Sequence, residues 1–277
     1  MKTRPAAVEG LFYPQDKLEL FEQVQTLLNQ AQQEKAKQQV KNPGNNNSSA
    51  PVVALIVPHA GYIYSGLTAA FAYQEIIAQK QHIQRVILLG PAHRVAFDGM
   101  AAPDASFFST PLGLIAIDTQ EIQRLVAANQ LLLSNQAHQQ EHSIEVQLPF
   151  LQNILNDFKL LPIVVGQCHS ESVSTLLQHY LNQPGNLVII STDLSHFLDY
   201  PTAQLQDLET STKIMHFKHN KLQHSDACGR IALAGLIHQA QEKQLIIKQL
   251  DIRNSGDTAG DKQRVVGYGA WSLYDHH

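Results

Sequence analysis

Four short runs of apolar, mostly branched residues constrain the fold of this chain more than any other sequence feature. They lie at residues 52–57, 85–89, 160–165 and 187–190. Each run is nearly continuous rather than alternating, which is the pattern of strands that are covered on both faces. Helical patterns lie between the runs. This alternation of strand and helix predicts an α/β sheet with helices packed against it.

Helices are predicted where apolar residues recur every three or four positions. These segments are residues 17–41, 65–78, 119–128, 141–156, 171–182 and 228–243. The last third of the chain differs, because residues 245–252 and 263–274 have the pattern of two consecutive strands. Consecutive strands predict an antiparallel addition to the sheet. The predicted fold class is therefore α/β, with a central mixed, largely parallel sheet between helix layers.

The length of 277 residues is predicted to form one domain, residues 1–277. Residues 42–50 contain Pro, Gly, Asn and Ser, and they offer almost nothing apolar to bury. We interpret this segment as a flexible surface loop within the domain, not as a boundary between two domains.

Composition argues against several functional classes. The net charge is −4, whereas proteins that bind nucleic acid non-specifically are normally basic. No apolar run approaches the roughly 20 residues of a membrane span, and the first residues lack the pattern of a signal peptide. Two cysteines cannot build a disulfide framework. We therefore expect a cytoplasmic protein with neither a nucleic acid nor a membrane as partner.

Polar motifs follow three of the four predicted strands. After the first, second and fourth apolar runs stand, in order, His59, His93, and Asp193 together with His196. The carboxyl ends of parallel strands meet at one edge of a sheet, where open α/β proteins bind their ligands. Any one of these histidines alone could simply cap a strand. Because three strands end alike, we predict that the side chains share one site.

A further polar segment precedes the apolar stripe of the helix predicted at residues 141–156. Glu141 and Glu145 are four residues apart and would share a helix face, with His142 beside them. The order of these residues does not match the HExxH zinc-protease motif. The two glutamates therefore belong either to the same site or to a solvated helix surface. The nearby His138 is given no role.

Cys228 is placed at the predicted start of the helix at residues 228–243. Either Ser225 or Asp226 could cap that helix, and the free N–H groups of its first turn would favour a thiolate. A small buried hydrophobic residue is the alternative interpretation of Cys228, and it is the one adopted for Cys168. Imidazoles with one thiolate suit iron, copper or zinc. A metal-free Cys–His nucleophile would use the same atoms.

Six motifs stand in a characteristic order and spacing along the chain. They are PHAGYIYSG at 58–66, LGPAH at 89–93, EHSIEVQLPF at 141–150, STDLSH at 191–196, DACG at 226–229 and NSGDTAGDKQRVVGY at 254–268. In this order they resemble the Memo family, whose bacterial and archaeal members are called AmmeMemoRadiSam system protein B. The opening RPAAVEGLFYP fits as well, so the resemblance covers nearly the whole chain.

The resemblance implies a fold similar to the LigB-type class III extradiol dioxygenases, which hold non-haem iron with two histidines and a carboxylate. In the Memo family the matching pocket is lined by the residues found here as His59 and His93, with Cys228 in place of the carboxylate. His142, Asp193 and His196 are similar to the remaining pocket residues. The family is connected with iron or copper and with redox activity. Its prokaryotic name implies a radical-SAM protein as a partner, and no settled reaction comes with it.

The leading hypothesis from the sequence is a dioxygenase-like oxidoreductase that binds iron or copper, with zinc as a third candidate. His59, His93 and Cys228 would be the metal ligands. His142 or His196 would transfer protons, and Asp193 would orient an imidazole. One alternative is a non-catalytic module that recognises an anionic peptide or small ligand in the same pocket. Another alternative is a metal-free hydrolase that uses Cys228 and a histidine.

Overall fold

The computed structural model describes residues 2–41, 50–181 and 183–275. Its strands are β1 (Thr3–Arg4), β2 (Val52–Val57), β3 (Arg85–Pro91), β4 (Met100–Ala102), β5 (Phe107–Thr110), β6 (Gly113–Ala116), β7 (Leu132–Leu133), β8 (Lys159–Val165), β9 (Asn186–Ser191), β10 (His196–Leu198), β11 (Ile246–Asn254) and β12 (Val265–Tyr274). Its α-helices are α1 (Lys17–Lys41), α2 (Tyr62–Gln74), α3 (Thr119–Ala127), α4 (Asn135–Gln139), α5 (Leu148–Ile154), α6 (Ser170–Leu177), α7 (Tyr200–Met215) and α8 (Arg230–Glu242). The predicted surface loop at residues 42–50 lies, apart from Ala50, outside the described residues.

The main sheet of the described chain contains nine strands in the order β10-β12-β2-β9-β3-β8-β4-β7, with β11 also paired to β12. The central strands β2, β9, β3 and β8 are parallel to one another. By contrast, β12 and β4 run antiparallel to their central neighbours, and β11 runs antiparallel to β12. The predicted mixed sheet with a parallel centre is therefore confirmed.

The central strands are buried because both of their faces are apolar. Side chains in all four of them, such as Leu55, Ile87, Ile163 and Ile189, have no exposed surface. Helices flank the sheet: α1, α2 and α5 pack together, α6 packs on α8, and α8 contacts β3 and β9. One continuous apolar cluster joins these helices to the strands. The predicted helix layers are confirmed as well.

A small second sheet was not predicted from the sequence. It has three strands in the order β1-β5-β6, and β1 pairs parallel to β5. The pairing carries the chain's first strand into the body of the protein, where Arg4 is buried. This sheet explains how a charged residue near the start of the chain reaches the interior.

The prediction of a helix over residues 141–156 is wrong for the first half of that range. Residues 141–144 are not helical, a 3-10 turn follows at Glu145–Gln147, and α5 begins only at Leu148. Pro149 lies in the first turn of α5, where its missing N–H has no intrahelical partner to lose. The proline therefore starts a helix instead of kinking one, and Glu141 and Glu145 do not share a helix face.

Two further differences concern helices. The helix predicted at residues 228–243 begins at Arg230, so Cys228 lies in the turn before it and not in its first turn. Helix α7 was not predicted at all. Its Leu205 and Leu208 are exposed while Asp207 is buried, which removes the apolar periodicity that marks a helix in sequence.

Candidate metal centre at the carboxyl edge of the sheet

Three histidine rings meet where the central strands end. His59 follows β2 and His93 follows β3, and these strands flank β9 in the sheet. His142 comes from the non-helical segment before α5. The centroids of the His59 and His93 rings are 5.2 Å apart, and the His142 ring lies 5.3 Å from His59 and 4.6 Å from His93. One ligand atom from each of the three rings lies within 4.8 Å of the other two.

Two glycines allow the elements of the site to approach one another. A Cβ at Gly90, in β3, would lie 2.5 Å from Ser143 Oγ, so glycine lets the segment that carries His142 pack directly on β3. A Cβ at Gly229 would lie 2.8 Å from Thr192 Cβ. This second glycine lets the turn that carries Cys228 rest on the end of β9.

The His59 ring is held in one tautomer. Its Nδ1 lies 3.0 Å from Ser191 Oγ, whose only proton goes to the Ser143 carbonyl at 2.6 Å. The Ser191 oxygen also accepts a hydrogen bond from Gln147 Nε2 at 2.9 Å. Since Ser191 has no second proton to give, His59 Nδ1 must be the donor. The lone pair of His59 is therefore on Nε2, the nitrogen that lies 3.4 Å from Cys228 Sγ.

The His93 ring is held by a buried carboxylate. Its Nδ1 lies 2.9 Å from Glu141 Oε1, and Glu141 also accepts the main-chain N–H groups of His93, His142 and Ser143. Burial alone would raise the pKa of Glu141, but these hydrogen bonds outweigh it and hold the pKa at about 2. The carboxylate fixes Nδ1 as a protonated nitrogen, so Nε2 of His93 is the ring atom left to bind a metal ion, as in carboxylate–histidine–metal arrangements.

His142 stacks on His93 and packs on Phe12 with a ring distance of 4.8 Å. Its buried Nδ1 has no hydrogen-bond partner among the described residues. Burial lowers the pKa of His142 to about 4 and the pKa of His59 well below its ordinary value. Both rings are therefore neutral near pH 7, which is the form that binds a metal ion.

Cys228 contacts one member of this group, His59, through its sulfur. Sγ lies 3.4 Å from His59 Nε2 and accepts the main-chain N–H of Asp193 at 3.3 Å. Burial and the neighbouring Asp193 carboxyl raise the pKa of the Cys228 thiol to about 12. The prediction that a helix start favours a thiolate here is therefore wrong, because the helix begins two residues later and desolvation dominates.

Asp193 and His196 lie at the same edge but do not belong to the cluster of His59, His93 and His142. Asp193 Oδ1 accepts the main-chain N–H of His59 at 2.7 Å, so it fixes the backbone of that residue and does not touch the ring. Burial raises the pKa of Asp193 to about 7. His196 opens β10, is exposed, and hydrogen-bonds through Nδ1 to the Leu194 carbonyl at 2.8 Å.

Glu145, considered from the sequence as either a site residue or a solvated one, supports the fold instead. Its carboxylate is fully buried and forms an ion pair with Arg4. It also accepts the Tyr13 hydroxyl at 2.6 Å and the main-chain N–H groups of Ala7 and Val8. Glu145 therefore ties the N-terminal segment to the 3-10 turn that precedes α5.

Ser191 and Gln147 were missed in the sequence analysis, although they set the tautomer of His59. Gln147 Nε2 bridges Ser191 Oγ and the Pro58 carbonyl, which lies at 2.8 Å. Both residues stand inside the long motifs at 141–150 and 191–196. A polar residue that closes an otherwise apolar strand, as Ser191 does, was the available signal.

A cavity of about 360 Å³ opens beside the centre. His93 and Cys228 form part of its wall, together with residues after β3, after β8 and at the start of α8. A volume in this range suits a small organic molecule. The arrangement thus combines neutral imidazoles, a sulfur and room for a ligand beside them.

Fold and site together define an α/β protein with a histidine cluster suited to a transition metal. A family model described as Memo-like protein matches residues 4–272, and the chain belongs to this family. A MEMO1 family protein of Aquifex aeolicus is 33% identical over 97% of this chain and 98% of its own length. A MEMO1 family protein of Ignicoccus hospitalis is 32% identical over 98% of each chain.

Among solved structures, an uncharacterized protein of Escherichia coli K12 is similar with a TM-score of 0.46 and 11% identity, covering 79% of this chain and 99% of that one. Within the described residues, no helix combines the length and the apolar character that crossing a membrane requires.

Proposed function

We propose that this Memo family protein is a metal-dependent oxidoreductase whose iron or copper ion is held by His59, His93 and Cys228. The observation that carries the proposal is the distance of 3.4 Å between His59 Nε2 and Cys228 Sγ. Two ligands that bind one tetrahedral ion at the usual Zn–N and Zn–S lengths are separated by roughly 3.5 Å. The two atoms are thus already spaced as ligands of a common ion.

The donor atoms suit the proposed metals. Two imidazoles and a sulfur form a borderline-to-soft set, which copper, iron and zinc accept and magnesium and calcium do not. Binding would displace the thiol proton of Cys228, since a metal ion binds the thiolate. When bound, such an ion supplies a Lewis acid and, for iron or copper, a one-electron redox centre.

The other residues of the site have roles that do not depend on the identity of the ion. Ser191 and Glu141 engage Nδ1 of His59 and of His93, which leaves Nε2 of each ring for the ion. Asp193 fixes the turn that carries His59. We assign proton transfer to His142 or His196, because His142 Nδ1 makes no hydrogen bond among the described residues but lies 3.4 Å from the Glu141 carboxylate, and His196 is accessible at the same edge.

A three-histidine ion site is a second candidate, because a ligand atom of His142 lies within 4.8 Å of one from each of the other two rings. The metal-free hydrolase is less well supported. A thiol whose pKa is raised to about 12 contains almost no nucleophilic thiolate near pH 7.

Metal analysis of untagged protein, combined with titration of the stripped protein by iron(II), copper and zinc, tests the proposal. We expect about one ion per chain, and we expect His59→Ala, His93→Ala and Cys228→Ser each to lose it. Cys168→Ser is the matched control and should keep it. Retention by Cys228→Ser together with loss in His142→Ala would establish the three-histidine site. Equal metal content in all variants would overturn the proposal.

A further inference from the structure

We propose that the substrate of this centre carries an anionic group, a carboxylate or a phosphate, which Arg94 and Arg230 bind in the adjoining cavity. The inference names the substrate class of the metal centre and so rests on the function proposed above. Both arginines line the cavity of about 360 Å³ whose wall includes His93 and Cys228. An anion held by them would therefore lie next to the proposed metal ligands.

The two arginines have no counter-charge. No Asp or Glu lines the cavity, and neither guanidinium forms an ion pair or a side-chain hydrogen bond with any described residue. Of the five other arginines, Arg264 stacks on an aromatic ring, and four are paired with carboxylates, namely Arg4, Arg85, Arg124 and Arg253. A net charge of −4 means that acidic partners are plentiful elsewhere in the chain. Two unpaired guanidinium groups around one cavity are thus the feature that an anionic ligand would complete.

The remaining wall of the cavity limits what else the ligand carries. Phe97, Val165 and Ile231 line it, so an apolar portion of the ligand has surface to bury. Guanidinium groups bind carboxylate and phosphate in a bidentate manner. The N-terminus of α8 adds to the positive field, because its cap residue Gly229 has no side chain to accept from the first turn. The chemistry is that of a small amphipathic acid.

Binding of benzoate and phenylphosphate to the full-length protein, measured by calorimetry beside neutral benzamide, tests the inference. We expect each anion to bind at least roughly tenfold more tightly than benzamide, since charged hydrogen bonds are the stronger ones. The variant with both Arg94→Gln and Arg230→Gln should lose that preference. Arg264→Gln, which alters an arginine stacked on Phe197 outside the cavity, should keep it.

Two results would overturn the inference: equal affinity for benzoate, phenylphosphate and benzamide, or an undiminished preference for the anions in the double variant. Metal content is measured on the same samples, which separates this inference from the proposed function. Loss of anion binding in protein that holds its metal contradicts only the anion site. Arginine-dependent anion binding in protein that binds no metal supports the anion site and contradicts the metal function.

Discussion

The two edges of the central sheet differ in whether their charged side chains are paired. At the edge where β3 and β8 begin, Arg85 pairs with the buried Asp118 at 2.8 Å. On the neighbouring helix α3, Arg124 pairs with Glu121 at 2.7 Å. Each of these four charged groups has a partner within the protein, and the resulting ion pairs contribute to its stability.

At the opposite edge, where the same strands end, three polar side chains in or near a cavity lack a partner. Arg94 and Arg230 have no counter-charge among the described residues, and His142 Nδ1 has no hydrogen-bond partner there. Unpartnered polar groups beside a cavity are candidates for binding a ligand. The contrast supports the assignment proposed above, in which the amino edge holds the fold together and the carboxyl edge binds the metal and the ligand.

Asp118→Ala is expected to have the largest effect on stability, and it tests the contrast at the amino edge. The change removes the partner of Arg85 and the cap of α3, whose Glu121 N–H the Asp118 side chain accepts. We expect the free energy of unfolding to fall by about 3 kcal/mol with metal content unchanged. Urea unfolding measures it. Asp104→Ala, which breaks an exposed pair with Lys2, is the control and should cost less than about 1 kcal/mol. Loss of metal in Asp118→Ala would contradict the division between the edges.

Glu141→Gln tests whether a buried acid at the carboxyl edge serves the site. Its carboxylate positions His93, so the variant should bind metal about 10–100-fold more weakly. Competition with a coloured chelator measures the affinity. Glu121→Gln alters a carboxylate near the opposite edge and should leave the metal affinity unchanged. Similar affinities in the two variants would show that Glu141 has no role at the metal.

His138 offers a pH test of a buried imidazole that lies outside the cluster. Burial lowers its pKa to about 4, whereas the unfolded value is 6.5. The unfolded chain therefore binds the proton more readily, and stability falls as the pH drops below 6.5. Between pH 7.5 and pH 5 this residue should account for about 2 kcal/mol of the loss in unfolding free energy. His138→Gln should flatten the pH profile by that amount, and an unchanged profile would rule out the assigned cause.

The smallest expected effect on stability concerns the two arginines at the carboxyl edge. Arg94→Gln and Arg230→Gln remove charges that pair with no carboxylate among the described residues, so unfolding free energies should stay within about 0.5 kcal/mol of the parent. The same urea titrations provide the comparison with Asp118→Ala. A loss as large as that of Asp118→Ala would mean that these arginines are structural.

The central sheet and the meeting of His59 and His93 could be predicted from the sequence, because both depend on local patterns. Continuous apolar runs identify buried strands, and parallel strands bring the residues after them to one edge. The helix at residues 17–41 was likewise predicted with its observed bounds. A local apolar pattern, continuous in the strands and periodic in the helix, is a sufficient signal in each of these places.

The environments of Glu141, Glu145 and Cys228 could not be predicted, because distant contacts decide them. Glu145 is placed by Arg4, which stands 141 residues earlier in the chain. Glu141 is fixed by main-chain N–H groups that are available only because its segment is not helical. The pKa of Cys228 follows from burial against the end of β9, and no local pattern in the sequence contains that contact.

Anomalous X-ray scattering from crystals of the metal-loaded protein, recorded on both sides of the metal's absorption edge, tests the central claim most directly. We predict one strong peak at the carboxyl edge, about 2.0–2.3 Å from His59 Nε2, His93 Nε2 and Cys228 Sγ. A peak elsewhere in the molecule, or a loaded protein with no peak at this edge, would contradict the assignment of the metal centre.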